Sequence, residues 1–297
     1  MWTKEFLSQI LESLAGERRR VAAGWRIWLH AHRIMAAQHQ RLGSSDTAET
    51  LVAKMQRLGH LSAIDGVEGV FVVAVPFASV LPISDEQILQ EANPWAVLSH
   101  LTAMIHHQLT DSVSSSIYAT AYAGLNRSRS PLGTSSDDWM EMRLPKPRRP
   151  KHVDGVPIVW VAMKESLDWG SEVGYSQGIP VYVTDLERTL LDALRQPAKA
   201  GGTFEVLRAW GEARKKMDID RLVSYAERYD VRVLRQRVGF ILNTMGFDHE
   251  RLHRWRKSLL RGGSMKLIAG REYGERYDVT WNISLNVPDS ALQALRG

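Results

Sequence analysis

Residues 45–75, SDTAETLVAKMQRLGHLSAIDGVEGVFVVAV, hold the pattern on which the interpretation of the whole chain depends. Apolar residues recur in the first half at helical spacing, as Leu51, Val52, Met55 and Leu58. Asp46 would cap this helix, with Glu49 in the capping-box position, and Gly59 would end it. The polar side of the helix carries short polar or cationic residues, namely Thr47, Thr50, Lys54 and Arg57.

A β-hairpin is predicted directly after this helix. Residues 61–64 and 67–75 are mostly apolar, and Asp65-Gly66 between them is a turn signal. A helix with a cationic side followed by a two-stranded wing is typical of a winged helix-turn-helix, whose second helix enters the major groove of DNA. The alternative is an ordinary amphipathic helix beside a hairpin, and this stretch alone does not decide between the two.

The residues before this stretch predict two further helices. Residues 3–15 form a short amphipathic pattern. Residues 17–37 form a longer one, which would either break near Gly24 or pack partly on the second domain. A basic stripe that includes His30 runs along the longer pattern, and it is either a solvated face or a phosphate-contacting face. The arginines assigned to phosphate contacts are Arg18, Arg19, Arg26 and Arg33.

Composition narrows the class of protein. The chain has 297 residues, enough for two domains, and its 44% hydrophobic and 24% charged residues exclude wholesale disorder. The net charge of +5 is compatible with a nucleic-acid partner but is too common to establish one. The absence of cysteine excludes disulfides and cysteine-ligated zinc and fits a reducing cytoplasm. No apolar run approaches the roughly 20 residues that span a bilayer, so no membrane association is expected.

The domain boundary is expected near residue 84. Residues 80–94 contain two prolines around an acidic centre, as linkers and hinges often do. Beyond them the pattern changes to strands at residues 115–121, 156–163 and 179–183 alternating with helices. The expected fold is therefore α+β with two domains: a winged helix-turn-helix at residues 1–84 and a larger mixed α/β domain at residues 85–297.

Two basic clusters stand out in the larger part of the chain. The first is a proline-stiffened connection with Lys146, Arg148, Arg149 and Lys151. The second lies within residues 251–266, which contain six cationic residues and no acidic one, and it comprises Arg251, Arg254, Arg256, Lys257 and Arg261. Each cluster is either ordinary solvated surface or a contact for an acidic partner, which would be DNA phosphate or an acidic protein. Trp255 in the second cluster would stack on a base or lie in a core.

Sequence motifs give no support for catalysis. The chain has no Walker loop, no GxGxxG that opens a helix after a strand, no HExxH and no GxSxG. The Gly-Ser pairs lack the Asp-x-Asp that a nucleotidyltransferase needs for its metal ions. His100, His106 and His107 do not share a helix face at metal-ligand spacing. We therefore expect no catalytic residues, no metal and no cofactor.

The order of several short motifs resembles the AbiEi antitoxins of type IV toxin–antitoxin systems, which are also viral-defence transcriptional regulators. The similar segments are LGHLSAIDGVEGVFVVAVPFA at 58–78, NPWAVLSHLTAMIHHQLTDSVSSSIYAT at 93–120, VYVTDLERTLLDALRQPAKAGG at 181–202 and RVLRQRVGFILNTMG at 232–246. His100, Thr102 and Gln108 depart from the family pattern, and the helices before Asp46 match it poorly.

This resemblance implies a DNA-binding autorepressor and antitoxin without enzymatic activity. Its winged helix would bind inverted repeats in its own promoter, and its second domain would counteract a nucleotidyltransferase toxin encoded beside it. Arg57 is the best candidate to contact a guanine. A different hypothesis is a non-catalytic binding module that docks an acidic protein partner through the two basic clusters.

Overall fold

The computed structural model describes residues 2–75, 83–124, 129–259 and 263–295. It is a mixed chain of helices and strands, in agreement with the expected α+β class. The first part of the chain forms α1 (Lys4–Gly16), β1 (Val21–Ala23), α2 (Gly24–Ala37), α3 (Ala48–Arg57), β2 (Leu61–Ile64), β3 (Val67–Val73), α4 (Asp85–Ala92), β4 (Val97–Leu98), α5 (His100–His106) and β5 (Ile117–Tyr122).

Among the described residues, the remaining elements are four strands, a run of five α-helices, three two-residue strands and a last short helix. They are β6 (His152–Val153), β7 (Val156–Met163), β8 (Ser171–Ser176), β9 (Ile179–Thr184), α6 (Leu186–Arg195), α7 (Thr203–Ala213), α8 (Ile219–Arg228), α9 (Arg232–Thr244), α10 (Glu250–Lys257), β10 (Met265–Lys266), β11 (Tyr277–Asp278), β12 (Ile283–Ser284) and α11 (Asp289–Gln293). The strands form sheets ordered β1-β3-β2, β6-β7-β5-β4-β9-β8 and β10-β12-β11.

The chain divides into two compact units. Unit 1 comprises residues 1–97, 115–165 and 173–182, and unit 2 comprises residues 98–114, 166–172 and 183–297. These units do not coincide with the expected division at residue 84, because residues 85–97 and 115–165 cluster with the N-terminal elements. The expected hinge lies partly outside the described residues, which resume at residue 83.

The first half of unit 1 is built on three helices and a small sheet. Helices α1, α2 and α3 bury one apolar face each in a shared core with the sheet, including Leu7, Ile10, Leu14, Ile27, Leu51 and Met55. Residues 17–37 are not one helix: Val21–Ala23 form β1, which pairs antiparallel with Val70–Val72 of β3, and α2 begins at Gly24. The expected discontinuity near Gly24 is present, but the predicted helix is wrong for residues 17–23, which form a turn and β1.

Unit 2 is mainly helical and has its own core. Trp210 and Trp281 are almost completely buried in it, together with the apolar faces of α6 to α9. Asp185 caps α6 by accepting a hydrogen bond from Arg188 N at 2.8 Å. Among the described residues, no helix has the length and apolar character needed to cross a membrane.

Candidate nucleic-acid interface

Helix α3 has a side-chain cap at its first turn and a glycine after its last turn, and one of its sides packs in the core. Thr47 Oγ1 accepts a hydrogen bond from Thr50 N at 3.2 Å, and Thr50 Oγ1 accepts one from Thr47 N at 3.1 Å. The capping residue is therefore Thr47, and the predicted Asp46–Glu49 box was wrong because Asp46 instead accepts from Gly43 N. Gly59, at φ +75°, ends the helix as predicted.

The outer side of α3 carries the polar residues predicted from the sequence. Thr50 and Arg57 are exposed and Lys54 is half-buried, whereas Thr47 is occupied by the cap. Among the residues that the structure describes, no carboxylate forms an ion pair with Lys54 or Arg57. Two cations at the last turn also suit the negative end of the helix dipole, so their position alone does not imply a ligand. Both side chains nevertheless remain available to bind a ligand.

The hairpin β2–β3 follows α3 as predicted. Its turn is at Asp65-Gly66, and Gly66 has φ +72°, a conformation that favours glycine. The register shifts by an irregularity between Ala63 and Ile64, and β1 extends the sheet on the other side of β3. The charged residues exposed at the tip are Asp65 and Glu68, which are both acidic. By itself this tip would repel a phosphate.

The arginines assigned to phosphate contacts lie, with one exception, in ion pairs. Arg19 and Arg26 are only 6% and 1% exposed, so they are not surface cations. Arg33 is held by Asp138 through two hydrogen bonds of 2.8 Å. Arg18 alone of the four is exposed. Burial therefore contradicts the predicted phosphate contacts of Arg19 and Arg26, whereas Arg33 is partly exposed and already paired with Asp138.

Glu91 of α4 is the centre of this buried network. Its carboxylate, 2% exposed, accepts from Arg26 Nε at 2.6 Å, Arg19 Nη1 at 3.1 Å and Ala23 N at 3.0 Å. Burial lowers the pKa of Arg26 to about 10, although the charge of Glu91 opposes that shift. The network connects α4 to β1 and α2 within unit 1, and no local sequence pattern indicates it.

A second, more accessible part of the network surrounds Arg33. Its hydrogen bonds are the main reason why the pKa of Asp138 falls to about 2. Burial would raise the pKa of Glu17, but hydrogen bonding to His30 and the charges of His30 and Arg19 lower it to about 2. Both carboxylates are thus held ionised by their partners in the folded protein.

These lowered pKa values predict the direction of the pH dependence of stability. A carboxylate whose pKa is lower in the folded than in the unfolded state stabilises the fold above its ordinary pKa, and this contribution disappears as the pH falls through the folded value. We expect the free energy of unfolding to decrease between about pH 4.5 and 2, and to decrease less steeply in Asp138→Asn. Urea unfolding at several pH values in this range measures the free energy of unfolding of each variant. The exposed neighbour in Asp137→Asn is the control, and equal slopes for wild type and Asp138→Asn would contradict the assignment.

The two basic clusters lie in different units. Lys146, Arg148, Arg149 and Lys151 are exposed and belong to unit 1, where Arg148 Nη1 donates to the carbonyl of Glu68 in β3. In unit 2, Arg251 pairs with Glu227 at 3.3 Å and Arg254 with Glu250 at 3.7 Å on α10, while Arg256 contacts His253 and Lys257 is exposed. Trp255 is buried in the core, and Arg261 lies outside the described residues.

Residues of the segments at 93–120 and 181–202 contribute to the interior of unit 2. Arg188 is fully buried, donates to Asp192 at 3.0 Å and stacks on Trp169 at 4.2 Å. His107 is hydrogen-bonded to the carbonyl of Thr184 at 2.7 Å, and burial lowers the pKa of His100 to about 4. These contacts give the motif at 181–202 a structural role.

Comparison with known proteins bears on the fold alone. No protein-family model matches the chain, and no curated protein matches it. Among solved structures, the chain is similar to the one titled crystal structure of RV2827C protein from Mycobacterium tuberculosis. The similarity covers 97% of this chain and 94% of that one, with a TM-score of 0.55 and 13% sequence identity. The two chains therefore share their fold over nearly their whole lengths.

Proposed function

We propose that the protein binds double-stranded DNA through a winged helix-turn-helix formed by α1 to β3. The observation that carries the proposal is the solvent-facing side of α3, where Lys54 and Arg57 lie without carboxylate partners among the described residues, directly before the hairpin β2–β3. The order α1-β1-α2-α3-β2-β3, with β1 completing the sheet of the hairpin, is the order found in winged helix-turn-helix domains. The connection at residues 38–47 is longer than a minimal helix-turn-helix turn.

In this proposal α3 enters the major groove. Arg57 is long, exposed and planar at its head, so it suits the O6 and N7 acceptors of guanine, and Lys54 suits either a base edge or a phosphate. Thr50 Oγ1 donates its hydrogen to Thr47 O at 2.9 Å within the cap, so Lys54 and Arg57 carry the proposed contacts. The resemblance to AbiEi regulators adds the target: inverted repeats in the promoter of the protein's own gene, which the protein would repress.

Repression is tested with a reporter gene fused to the DNA upstream of the coding region. We expect the full-length protein, supplied from a second plasmid, to reduce reporter output several-fold, and a scrambled upstream region to abolish the effect. Equal output with and without the protein from the native upstream region would contradict the proposed repression.

The antitoxin activity rests on the resemblance. The motif residues Glu187, Arg188 and Asp192 are buried in unit 2, so a toxin would have to contact other, exposed residues. Co-expression with a nucleotidyltransferase encoded beside the gene tests this part of the proposal, and growth arrest that persists in the presence of the protein would remove it.

The acidic-protein hypothesis has less support from the positions of the residues. It needed both basic clusters to face one partner, yet they belong to different compact units. In the second cluster, Arg251 and Arg254 are already paired with glutamates. The first cluster contacts the hairpin of the proposed DNA-binding region.

A further inference from the structure

The first basic cluster belongs to a segment with a fixed path, residues 145–151, which we call the connector. Pro145, Pro147 and Pro150 keep it out of helices and sheets. It is anchored at two points within unit 1. Arg148 N donates to Ala92 O at 3.0 Å, and Trp160 Nε1 of β7 donates to Pro150 O at 2.8 Å. The connector is therefore an ordered extended segment, although it has no regular secondary structure.

The connector lies against the free edge of the hairpin. Strand β1 pairs with β3 only at Val70–Val72, and farther toward the tip Arg148 Nη1 donates to the carbonyl of Glu68 instead. A Cβ atom on Gly69 would collide with the Arg148 guanidinium, and one on Gly66 with the ring of His152. The two glycines permit this close approach because they have no Cβ atom. Both also adopt positive φ, a second reason for glycine at these positions.

This contact reverses the charge at the tip of the hairpin. The tip itself exposes only the carboxylates of Asp65 and Glu68. Beside them the connector exposes four cationic side chains, those of Lys146, Arg148, Arg149 and Lys151. An acidic tip is unfavourable near the DNA backbone, whereas a tip flanked by more cations than carboxylates is favourable.

The connector also borders the same depression as α3. A cavity of about 560 Å³ in unit 1 is lined by Ala48, Glu49 and Val52 of α3, by Gly69 and Val70 of β3, and by Pro145, Lys146 and Arg148 of the connector. The connector, the hairpin and the first turns of α3 therefore border one depression. Thr50, Lys54 and Arg57 do not line it, so the connector is placed by its contact with the hairpin rather than by α3.

From these contacts we propose that the connector is a second phosphate-binding element of the DNA interface. Lys146, Arg149 and Lys151 contact the sugar-phosphate backbone beside the hairpin, and Arg148 is a positioning residue that holds the segment on β3. This inference rests on the proposed DNA binding and adds a part of the site that is distant from α3 in the sequence. Its partner is the phosphate backbone, so its contribution to affinity is independent of base sequence.

The test is the triple variant Lys146→Ala/Arg149→Ala/Lys151→Ala, compared by fluorescence anisotropy with the wild type on the upstream duplex and on an unrelated duplex at several salt concentrations. Each lost phosphate contact makes the slope of log affinity against log salt shallower by about 0.9. We expect the slope to change by about 2–3 and the affinity to fall at least about tenfold for both duplexes alike. The control Lys215→Ala/Lys216→Ala/Arg232→Ala removes the same charge from exposed positions of unit 2.

The possible outcomes separate the inference from the proposed function. If the wild type does not bind DNA, both fail. If Lys54→Ala/Arg57→Ala abolishes binding while the connector triple variant matches the unit 2 control, the connector inference alone is overturned. A second readout uses the absence of cysteine in the chain. Arg149→Cys carrying a photocrosslinker should crosslink to DNA, whereas the same label at Lys215→Cys should not, and equal crosslinking would also overturn it.

Discussion

Replacing Lys54 and Arg57 together by alanine is expected to weaken binding to the specific duplex at least about 30-fold, since each base-edge contact of this type contributes about 1–3 kcal/mol. The loss should be much smaller on an unrelated duplex, because base contacts contribute to specificity whereas phosphate contacts contribute to affinity for any sequence. Both side chains lie on the solvent-facing side of α3, while the helix is held by Leu51 and Met55 on the other side, so the variant should keep its fold.

The matched control is Lys215→Ala/Lys216→Ala, which removes two exposed cations from unit 2. Circular dichroism and the thermal midpoint should be unchanged in both variants. If the α3 variant and this control bind the specific duplex equally well, α3 is not the recognition helix. An equal loss of affinity for the specific and the unrelated duplex would instead mean that Lys54 and Arg57 contact the DNA backbone and not the base edges.

The second large effect is expected at Glu91. Its replacement by alanine leaves Arg19 and Arg26 buried without a carboxylate acceptor on α4, and breaking a buried ion pair in this way costs about 3–5 kcal/mol. We therefore expect Glu91→Ala to lower the free energy of unfolding by about this amount in urea denaturation, or to prevent accumulation of folded protein. The exposed Glu212→Ala serves as the control.

A double variant keeps this prediction testable if the single variant does not fold. Arg26→Met/Glu91→Met removes the unpaired charge of Arg26, and Arg19 keeps Glu17 as a partner at 2.8 Å, so it should be less destabilising than Glu91→Ala. If Glu91→Ala is no more destabilising than Glu212→Ala, the network is not a stabilising contact. The same network argues against testing DNA binding with a fragment that ends at residue 84, because that fragment lacks Glu91.

The local features of the proposed interface were predictable from the sequence. The period of Leu51 and Met55, the glycine after α3 and the Asp65-Gly66 turn are short-range signals, and each corresponds to the element expected from it. The cap was misassigned by one residue because Asp46 and Thr47 are both good capping residues, and their hydrogen bonds alone decide between them. The exposure of Thr50 and Arg57 follows from the same helical period.

The features that were missed depend on contacts between distant segments. In sequence, the basic stripe resembles a phosphate-binding surface. In the structure, Arg26 is buried and its charge is paired with Glu91, which lies 65 residues farther along the chain. Strand β1 has only three residues and forms through pairing with β3, so a local pattern could not identify it. Gly69, inside a mostly apolar strand, was a usable signal of close backbone approach, and Arg148 of the connector lies against that position.

The central claim is specific DNA binding by the full-length protein, and one titration tests it most directly. The purified protein is added to a labelled duplex from the region upstream of its own coding sequence, and to a shuffled duplex of the same composition, at several salt concentrations. We expect the upstream duplex to bind at least about 1,000-fold more tightly than the shuffled one, with an affinity that falls steeply as salt rises. Equal affinity for the two duplexes, or no binding at low salt, would contradict the account.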